Sequence, residues 1–181
     1  MSLHNVTPGS RAPYEFNVIV EIPMNSDPIK YEVDEESGAL FVDRFMATSM
    51  HYPCNYGYIP QTLAADGDPV DVLVITPVPL ISGVVVTCRP LGLLKMDDEA
   101  GGDNKLLAVP IDRILSIYTQ WTKPEDLNPM RLKTIQHFFE HYKDLEEGKW
   151  VRIVGWDGPE AARAEVAGGI SNWRRSHGLA S

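Results

Sequence analysis

The stretch EFNVIVEIP, residues 15–23, indicates how this chain of 181 residues is built. Its apolar side chains recur at every second position: Phe16, Val18, Val20 and Ile22. Polar residues fall mostly between them. Such alternation is typical of a β-strand that buries one face. We therefore predict a strand here and expect it to lie in a larger sheet.

Short β-branched runs follow this strand along the chain, and several are bounded by glycine or proline. The further candidate strands are residues 30–33, 40–44, 72–76, 83–88, 106–110 and 150–154. Many short strands separated by turn residues favour a small closed or nearly closed barrel. The first half of the chain is thus predicted to be mainly β.

Helical patterns come late in the chain. Asn128-Pro129 looks like an N-cap followed by proline at the first helical position. An apolar stripe at helical spacing supports a helix over residues 129–147: Ile135, Phe138, Phe139, Tyr142 and Leu145. A second helix is predicted from Pro159 to about Trp173. No linker is evident, so we expect an α+β, mainly β, single domain over residues 1–181.

Composition narrows the possible functions. The formal net charge is −9, which disfavours nucleic-acid binding because that depends on basic patches. No apolar run approaches the roughly 18 residues of a membrane span, and the first residues lack a signal-peptide pattern. Cys54 and Cys88 show no metal-type spacing. We therefore expect free thiols and a cytoplasmic location.

The segment ADGDPVDVLV, residues 65–74, places Asp66, Asp68 and Asp71 just before an apolar run. Aspartate, glycine and proline are also the usual residues of a polar turn. A calcium loop of the EF-hand type is excluded, because positions 5, 6 and 12 counted from Asp66 do not match. Two interpretations stay open here: an acidic turn, or a site for cations.

A second acidic segment, KMDDEAGGDNK, covers residues 95–105 and includes Asp98 and Asp103. Alone it is typical of a solvated hairpin tip. Together the two segments supply the hard oxygen ligands that suit Mg²⁺ or Mn²⁺. Bound metal ions would allow so acidic a pocket to hold an anion.

Basic and phenolic side chains could complete such a pocket. Arginine contacts phosphate as a fork and lysine as a point charge. The candidates for phosphate are Lys30, Arg44, Lys105 and Lys143, and those for hydroxyl donors are Tyr52, Tyr56 and Tyr142. Taken singly, each of them is more typical of a surface or core position than of a binding site.

Read in order, these segments resemble the bacterial form of the family I soluble inorganic pyrophosphatases. The D-G-D-P-x-D-V motif at residues 66–72 is specific, and the flanking matches cover nearly the whole chain. The matching residues are Glu21, Lys30, Glu32, Arg44, Tyr52, Tyr56, Asp66, Asp68, Asp71, Asp98, Asp103, Lys105, Tyr142 and Lys143. Asp97 adds a carboxylate beside Asp98 at a position that we expect to be tolerant.

The resemblance implies a five-stranded β-barrel like the OB fold, with helices packed outside. It implies Mg²⁺-dependent hydrolysis of pyrophosphate to two orthophosphates by a metal-activated water. It also implies several Mg²⁺ per active site, with Mn²⁺ as a substitute, and a homohexamer. We expect the 129–147 helix to lie at a subunit contact.

The resemblance also assigns expected roles. Asp66, Asp71 and Asp103 would hold the activating metal ions, and Asp68 would accept the proton of the attacking water. The Mg²⁺ that arrives with the substrate would be bound, directly or through water, by Glu21, Glu32 and Asp98. Phosphate oxygens would be contacted by Lys30, Arg44, Lys105, Tyr142 and Lys143. Tyr56 would donate a hydrogen bond near the nucleophile, so the catalytic group is Asp68, Tyr56, Arg44 and Lys30.

Three other interpretations stay open. His137 to His141 match H-x-x-E-H, a short zinc-peptidase pattern that often occurs by chance. Histidines beside an apolar face are more often packing or subunit-contact residues than ligands. A non-catalytic metal-binding OB-like module is the second alternative. A nucleotide phosphohydrolase is the third, although the sequence contains no P-loop.

Overall fold

The computed structural model of the protein describes residues 3–34 and 36–179. These residues form nine strands and two α-helices. The strands are β1 (Phe16–Ile22), β2 (Ile29–Val33), β3 (Leu40–Phe45), β4 (Asn55–Ile59), β5 (Val70–Val74), β6 (Val85–Asp98), β7 (Gly101–Gly102), β8 (Lys105–Pro110) and β9 (Val151–Asp157). The helices are α1 (Pro129–His141) and α2 (Pro159–Ser176), and short 3-10 turns cover Ser116–Tyr118 and Pro124–Asp126.

Five strands close into a ring in the order β1, β4, β5, β8 and β6, and β6 pairs again with β1. The β5–β8 pair is parallel and the other pairs in the ring are antiparallel. Closure removes free strand edges from the ring. A barrel this small leaves no interior room for a helix, so both helices pack outside. The predicted five-stranded OB-like barrel with outer helices is therefore confirmed.

Both faces of β5 are buried, which explains why its sequence is a continuous apolar run. Val70, Val72 and Val74 belong to a cluster that also contains residues of α2. Leu73 and Ile75 belong to a second cluster that contains residues of α1. Since side chains alternate along a strand, Asp71 points to the same side as Leu73. The acidic residue thus lies at the border of the α1-facing core.

The hairpin of β2 and β3 is a separate two-stranded sheet in which Lys30 pairs with Arg44. It contacts the barrel at β1. Outside the ring, β9 pairs with the second half of β6, and β7 folds back on the end of β6. These additions build walls around one side of the barrel.

Strands β4 and β6 differ most from the prediction, and the two-residue strand β7 was not predicted. Strand β4 was not predicted, because its sequence NYGYI, Asn55–Ile59, does not show simple apolar alternation. Strand β6 continues to Asp98 instead of ending at 88, although Pro90 and Gly92 normally interrupt strands. A register shift between these two residues accommodates them as an irregularity. The bounds of β5 and β9 also differ slightly from the predicted ones.

The prediction of a helix over residues 129–147 was wrong at its C-terminal end, because α1 ends at His141. The following residues form tight turns, with hydrogen bonds from Asp144 N to His141 O and from Glu146 N to Lys143 O. This turn directs Lys143 toward Asp98. Leu145 is consequently 77% exposed and does not join the apolar stripe. The second helix extends past its predicted end at Trp173.

In the described part of the chain, no helix is long and apolar enough to cross a membrane. Cys54 and Cys88 are free, as predicted, and both are buried. Burial raises the pKa of the Cys54 thiol to about 12, so this thiol stays protonated at neutral pH.

Candidate active site

A cavity of about 390 Å³ lies where the β2–β3 hairpin, the barrel, the β6–β7 hairpin and the end of α1 meet. All thirteen residues assigned above to catalysis, substrate or metal line it, as does Tyr52. They are Glu21, Lys30, Glu32, Arg44, Tyr56, Asp66, Asp68, Asp71, Asp98, Asp103, Lys105, Tyr142 and Lys143. Residues distant in the sequence therefore share one site.

The acidic turn before β5 presents Asp66 and Asp68 to this cavity. Asp66 Oδ1 accepts a hydrogen bond from Asp68 N at 3.0 Å, and Ala64 N donates to Asp68 O at 2.7 Å. Gly67 has a φ of +97°, a conformation that side-chain-bearing residues rarely adopt. Burial raises the pKa of Asp66, and the neighbouring carboxylates raise it further. The segment is thus a tight turn that also brings several negatively charged side chains close together.

Lys105 lies between two of the predicted metal-binding carboxylates. Its Nζ contacts Asp71 Oδ2 at 2.5 Å and also contacts Asp103 Oδ1. Burial by itself lowers the pKa of Lys105, but the two carboxylates outweigh it, and the pKa lies above its usual value. Lys105 is only 3% exposed. It is therefore a fixed positive charge inside the acidic wall.

Glu21 is buried on β1, and its Oε1 accepts a hydrogen bond from Val33 N at 2.8 Å. Burial raises the pKa of Glu21 from 4.5 to about 8, and the charges of Asp71 and Glu32 contribute to the rise. Around neutral pH the carboxyl group is thus largely protonated unless a cation approaches it.

The β2–β3 hairpin contributes one wall of mixed charge. Lys30 Nζ contacts Glu32 Oε1 and lies 3.6 Å from Asp43 Oδ2. Arg44 lies between Asp43 at 3.9 Å and Glu146 at 3.8 Å, and these distances are long for salt bridges. The Arg44 Nε atom is buried without a hydrogen-bond partner among the described residues. Its guanidinium group therefore has donors available for an anion.

The β6–β7 hairpin forms the opposite wall, with Glu99 and Ala100 at its tip. Asp98 accepts hydrogen bonds from Lys143 Nζ and from Ala100 N, both at 2.8 Å. Burial alone raises the pKa of Asp98, but these hydrogen bonds hold it below its usual value. Glu99 in turn contacts Lys149 at 2.5 Å and lies 4.0 Å from Lys143.

Three tyrosines form the floor of the cavity. Tyr52, Tyr56 and Tyr142 are all buried, and burial raises the pKa of each hydroxyl. They remain protonated and can donate hydrogen bonds. Tyr52 lies 4.6 Å from the Phe138 ring, which stacks on Tyr142 at 5.2 Å. Helix α1 thus fixes the aromatic floor.

The donor set fits hard divalent cations. Seven carboxylates and four cationic side chains line the cavity, so negative charge is in excess. All these acidic donors are oxygens, the ligands that Mg²⁺ and Mn²⁺ prefer. Within residues 3–34 and 36–179, no three acidic, histidine or cysteine side chains converge tightly enough to enclose one ion. Mg²⁺ in proteins typically keeps several of its waters and is bound through one or two carboxylates.

Three residues of this region, Tyr58, Asp43 and Glu146, were not predicted from the sequence. Tyr58 lines the cavity beside Tyr56, and its position two residues further along β4 could have indicated the shared face. Asp43 and Glu146 contact the cations of the hairpin from outside the cavity. No local sequence signal marks them, because each meets its partner only through the tertiary fold.

The H-x-x-E-H pattern lies on α1 away from the cavity. His137 and His141 have ring centroids 4.6 Å apart, and His141 Nδ1 lies 2.9 Å from Asp144 Oδ2. Neither histidine lines the acidic cavity. This arrangement does not favour the zinc-peptidase interpretation.

Comparison with known proteins gives a consistent result. Residues 18–174 match the family model described as inorganic pyrophosphatase. The inorganic pyrophosphatase of Ralstonia nicotianae is 55% identical over 97% of this chain and 100% of its own length. That of Escherichia coli (strain K12) is 60% identical over 92% of this chain and 94% of its own. The solved structure of an inorganic pyrophosphatase from Coxiella burnetii superposes with a TM-score of 0.90, at 51% identity, covering 93% of this chain and 99% of that one.

Proposed function

The chain belongs to the inorganic pyrophosphatase family and hydrolyses inorganic pyrophosphate, and we propose that it does so with several Mg²⁺ ions bound in the acidic cavity. The observation that carries this proposal is the joint presence of oxygen ligands and phosphate-binding cations in one cavity. An acidic surface alone would repel pyrophosphate, whereas metal ions between protein and substrate would make binding favourable.

Six carboxylates are proposed as metal ligands. Asp71 and Asp103 contact Lys105, Asp66 lies near both of these carboxylates, and the three would hold the activating ions. The remaining ligands, for ions that accompany the substrate, would be Glu21, Glu32 and Asp98. When bound, such ions neutralise phosphate oxygens and lower the pKa of water. Mn²⁺ is expected to replace Mg²⁺ because it accepts the same oxygen ligands.

Asp68 is proposed as the general base. It lies exposed at the tip of the acidic turn and faces the cavity, where a water molecule can approach it. In the reaction, the water oxygen forms a bond to one phosphorus while the bond from that phosphorus to the bridging oxygen breaks. The proton of the water passes to Asp68. Tyr56, whose pKa is raised by burial and by the nearby charge of Asp71, would orient the reacting groups.

The cationic side chains of the cavity are proposed to bind the two phosphates. Arg44 has a donor without a partner, and Lys30 lies beside it in the hairpin register. Tyr142 and Lys143 line the same cavity just after α1, and Lys105 adds its charge from between Asp71 and Asp103. These groups would stabilise the leaving orthophosphate, whose charge increases as the bond breaks.

The wider properties of the protein are also proposals. We expect residues 1–181 to fold as one domain, and we expect a homohexamer in which the exposed side of α1 lies at a subunit contact. The free, buried thiols fit a reducing compartment such as the cytoplasm.

The test is to incubate the purified protein with pyrophosphate, with Mg²⁺ or with EDTA, and to measure orthophosphate release. ATP and a peptide serve as control substrates. We expect fast release from pyrophosphate that requires Mg²⁺ and recovers partly with Mn²⁺. Release that persists after complete removal of metal would contradict the metal proposal. No release from a folded, Mg²⁺-loaded protein would instead favour a non-catalytic metal-binding module.

A further inference from the structure

The turn that carries the acidic residues is tied by one buried hydroxyl group, that of Thr62. This side chain is 2% exposed and does not line the active-site cavity. Its Oγ1 donates a hydrogen bond to Ile59 O at 2.5 Å and accepts one from Val70 N at 2.9 Å. Thr62 therefore joins the end of β4 to the beginning of β5.

This bridge lies where the ladder between the two strands ends. The last pairs of that ladder are Tyr58 with Asp71 and Ile59 with Val70. Beyond them the chain leaves the sheet, and the Thr62 hydroxyl supplies the partner that a further strand residue would have given to Val70 N. Since an unpaired buried N–H is costly, the bridge fixes the separation of the two ends of the turn.

A second anchor comes from α2. Leu63 N donates to Gly169 O at 2.9 Å, and Asn172 Nδ2 donates to Leu63 O at 3.1 Å. The helix approaches so closely that a Cβ atom on Gly169 would lie 2.6 Å from Val70 Cγ2 and 3.2 Å from Thr62 Cβ. The backbone of residues 62 and 63 is thus held from two sides, and only residues 64–69 remain to present carboxylates.

We propose that Thr62 is a positioning residue for hydrolysis, because its hydroxyl sets how Asp66 and Asp68 on the turn stand relative to Asp71 on β5. This inference rests on the proposed function, in which these three carboxylates bind metal ions and accept a proton. Without the bridge, the turn would separate from the start of β5, and the positions of Asp66 and Asp68 relative to Asp71 would change. Residues that orient metal ligands typically change metal affinity or activity by about 10- to 100-fold when they are replaced.

The test compares Thr62→Val, which keeps the shape and loses the hydroxyl, with Thr62→Ser, which keeps the hydroxyl. Thr76→Val is the matched control, since Thr76 is 3% exposed just beyond the other end of β5. Its Oγ1 donates to Val78 O at 2.6 Å and accepts from Asn55 at 2.7 Å, away from the cavity. Thr62→Val and Thr76→Val each remove one buried hydroxyl group, whereas Thr62→Ser keeps it.

Three quantities are measured for each protein: Mg²⁺ affinity by calorimetry without substrate, kcat for pyrophosphate, and the melting temperature. For Thr62→Val we expect Mg²⁺ binding weaker by about tenfold and kcat lower by about tenfold. Thr62→Ser should stay within about threefold of the wild type. Thr76→Val should melt at a lower temperature while its Mg²⁺ affinity and kcat remain those of the wild type.

A Thr62→Val protein that loses only melting temperature, as the control does, would overturn the inference. If Thr62→Val does not fold, Asn172→Ala removes the side-chain hydrogen bond of the second anchor at a half-buried site and leaves the bond from Leu63 N to Gly169 O. Weaker Mg²⁺ binding in that variant supports positioning of the turn, and unchanged binding contradicts it. The proposed function is judged separately, because it fails only if the wild type itself shows no Mg²⁺-dependent hydrolysis.

Discussion

Asp68 combines two properties that suit a general base: its side chain is exposed, and it faces a cavity that is lined by lysine, arginine and tyrosine side chains. Asp68→Asn keeps the size of the side chain and removes its ability to accept a proton. We expect kcat for pyrophosphate to fall by about 10²- to 10⁴-fold, the usual contribution of general base catalysis. Steady-state assays at saturating Mg²⁺ measure this change.

The melting temperature of the Asp68→Asn protein should be unchanged, because an exposed turn residue contributes little to packing. Asp97→Asn is a suitable control. Asp97 precedes Asp98 on β6, but its side chain contacts Arg152 at 2.5 Å and does not line the cavity. Near-normal turnover in Asp68→Asn would remove Asp68 as the base.

Glu21 makes the stability of the metal-free protein depend on pH. Its pKa rises from 4.5 to about 8 on folding, because burial disfavours the charged form. The folded state therefore keeps its proton between these two values while the unfolded state loses it. It follows that the Glu21 contribution to the free energy of unfolding is fully present below pH 4.5 and is lost as the pH rises to about 8.

In EDTA, Glu21→Gln should therefore gain stability relative to the wild type as the pH rises from 5 to 8, by an amount on the order of a few kcal/mol. Urea unfolding at several pH values measures the difference, and the exposed Glu125→Gln serves as control. A difference that does not change with pH would show that Glu21 titrates normally.

At the scale of elements, the barrel depends on close approach between β1 and β4 at Gly57. A Cβ atom at this position would lie 2.0 Å from Ile19 O, which is backbone and cannot rotate away. We expect Gly57→Ala to lower the free energy of unfolding by about 3 kcal/mol, since overpacking forces the strands apart. Gly102→Ala is the control, because the space around Gly102 is open. Equal urea midpoints for the two variants would contradict this account.

The elements also show where local patterns mislead. The apolar stripe of α1 is real up to Phe139 and Tyr142, but Leu145 continues its spacing by coincidence and is exposed. The chain leaves the helix there, and Lys143 reaches Asp98 instead. Likewise, β6 tolerates Pro90 and Gly92, because an irregularity in its pairing with β8 absorbs them. In both cases a tertiary contact prevails over a local preference.

At the scale of the whole molecule, the proposed hexamer predicts a mass in solution six times that of the 20.2 kDa chain. Light scattering coupled to size-exclusion chromatography measures it. The exposed side of α1 carries His137 and the half-exposed His141, so His137→Glu should reduce the mass if this side lies at a subunit contact. A hexamer that is unaffected by this change would place the contact elsewhere, and a monomer would contradict the proposal.

Local sequence patterns were sufficient to predict the strand at residues 15–23, the mainly β class and the candidate residues that line the cavity. These rest on local regularities: alternation along a strand, a run of aspartates before β5, and family motifs in a fixed order. Only the tertiary structure reveals which residues close the predicted barrel, as in the pairing of Phe16 with Cys88, and how Lys105 contacts Asp71 and Asp103. It also decided the raised pKa of Glu21, which depends on burial. Pairings between distant residues follow from the packing of the whole chain, so a local pattern can name the participants but cannot fix their distances, burial or charge state.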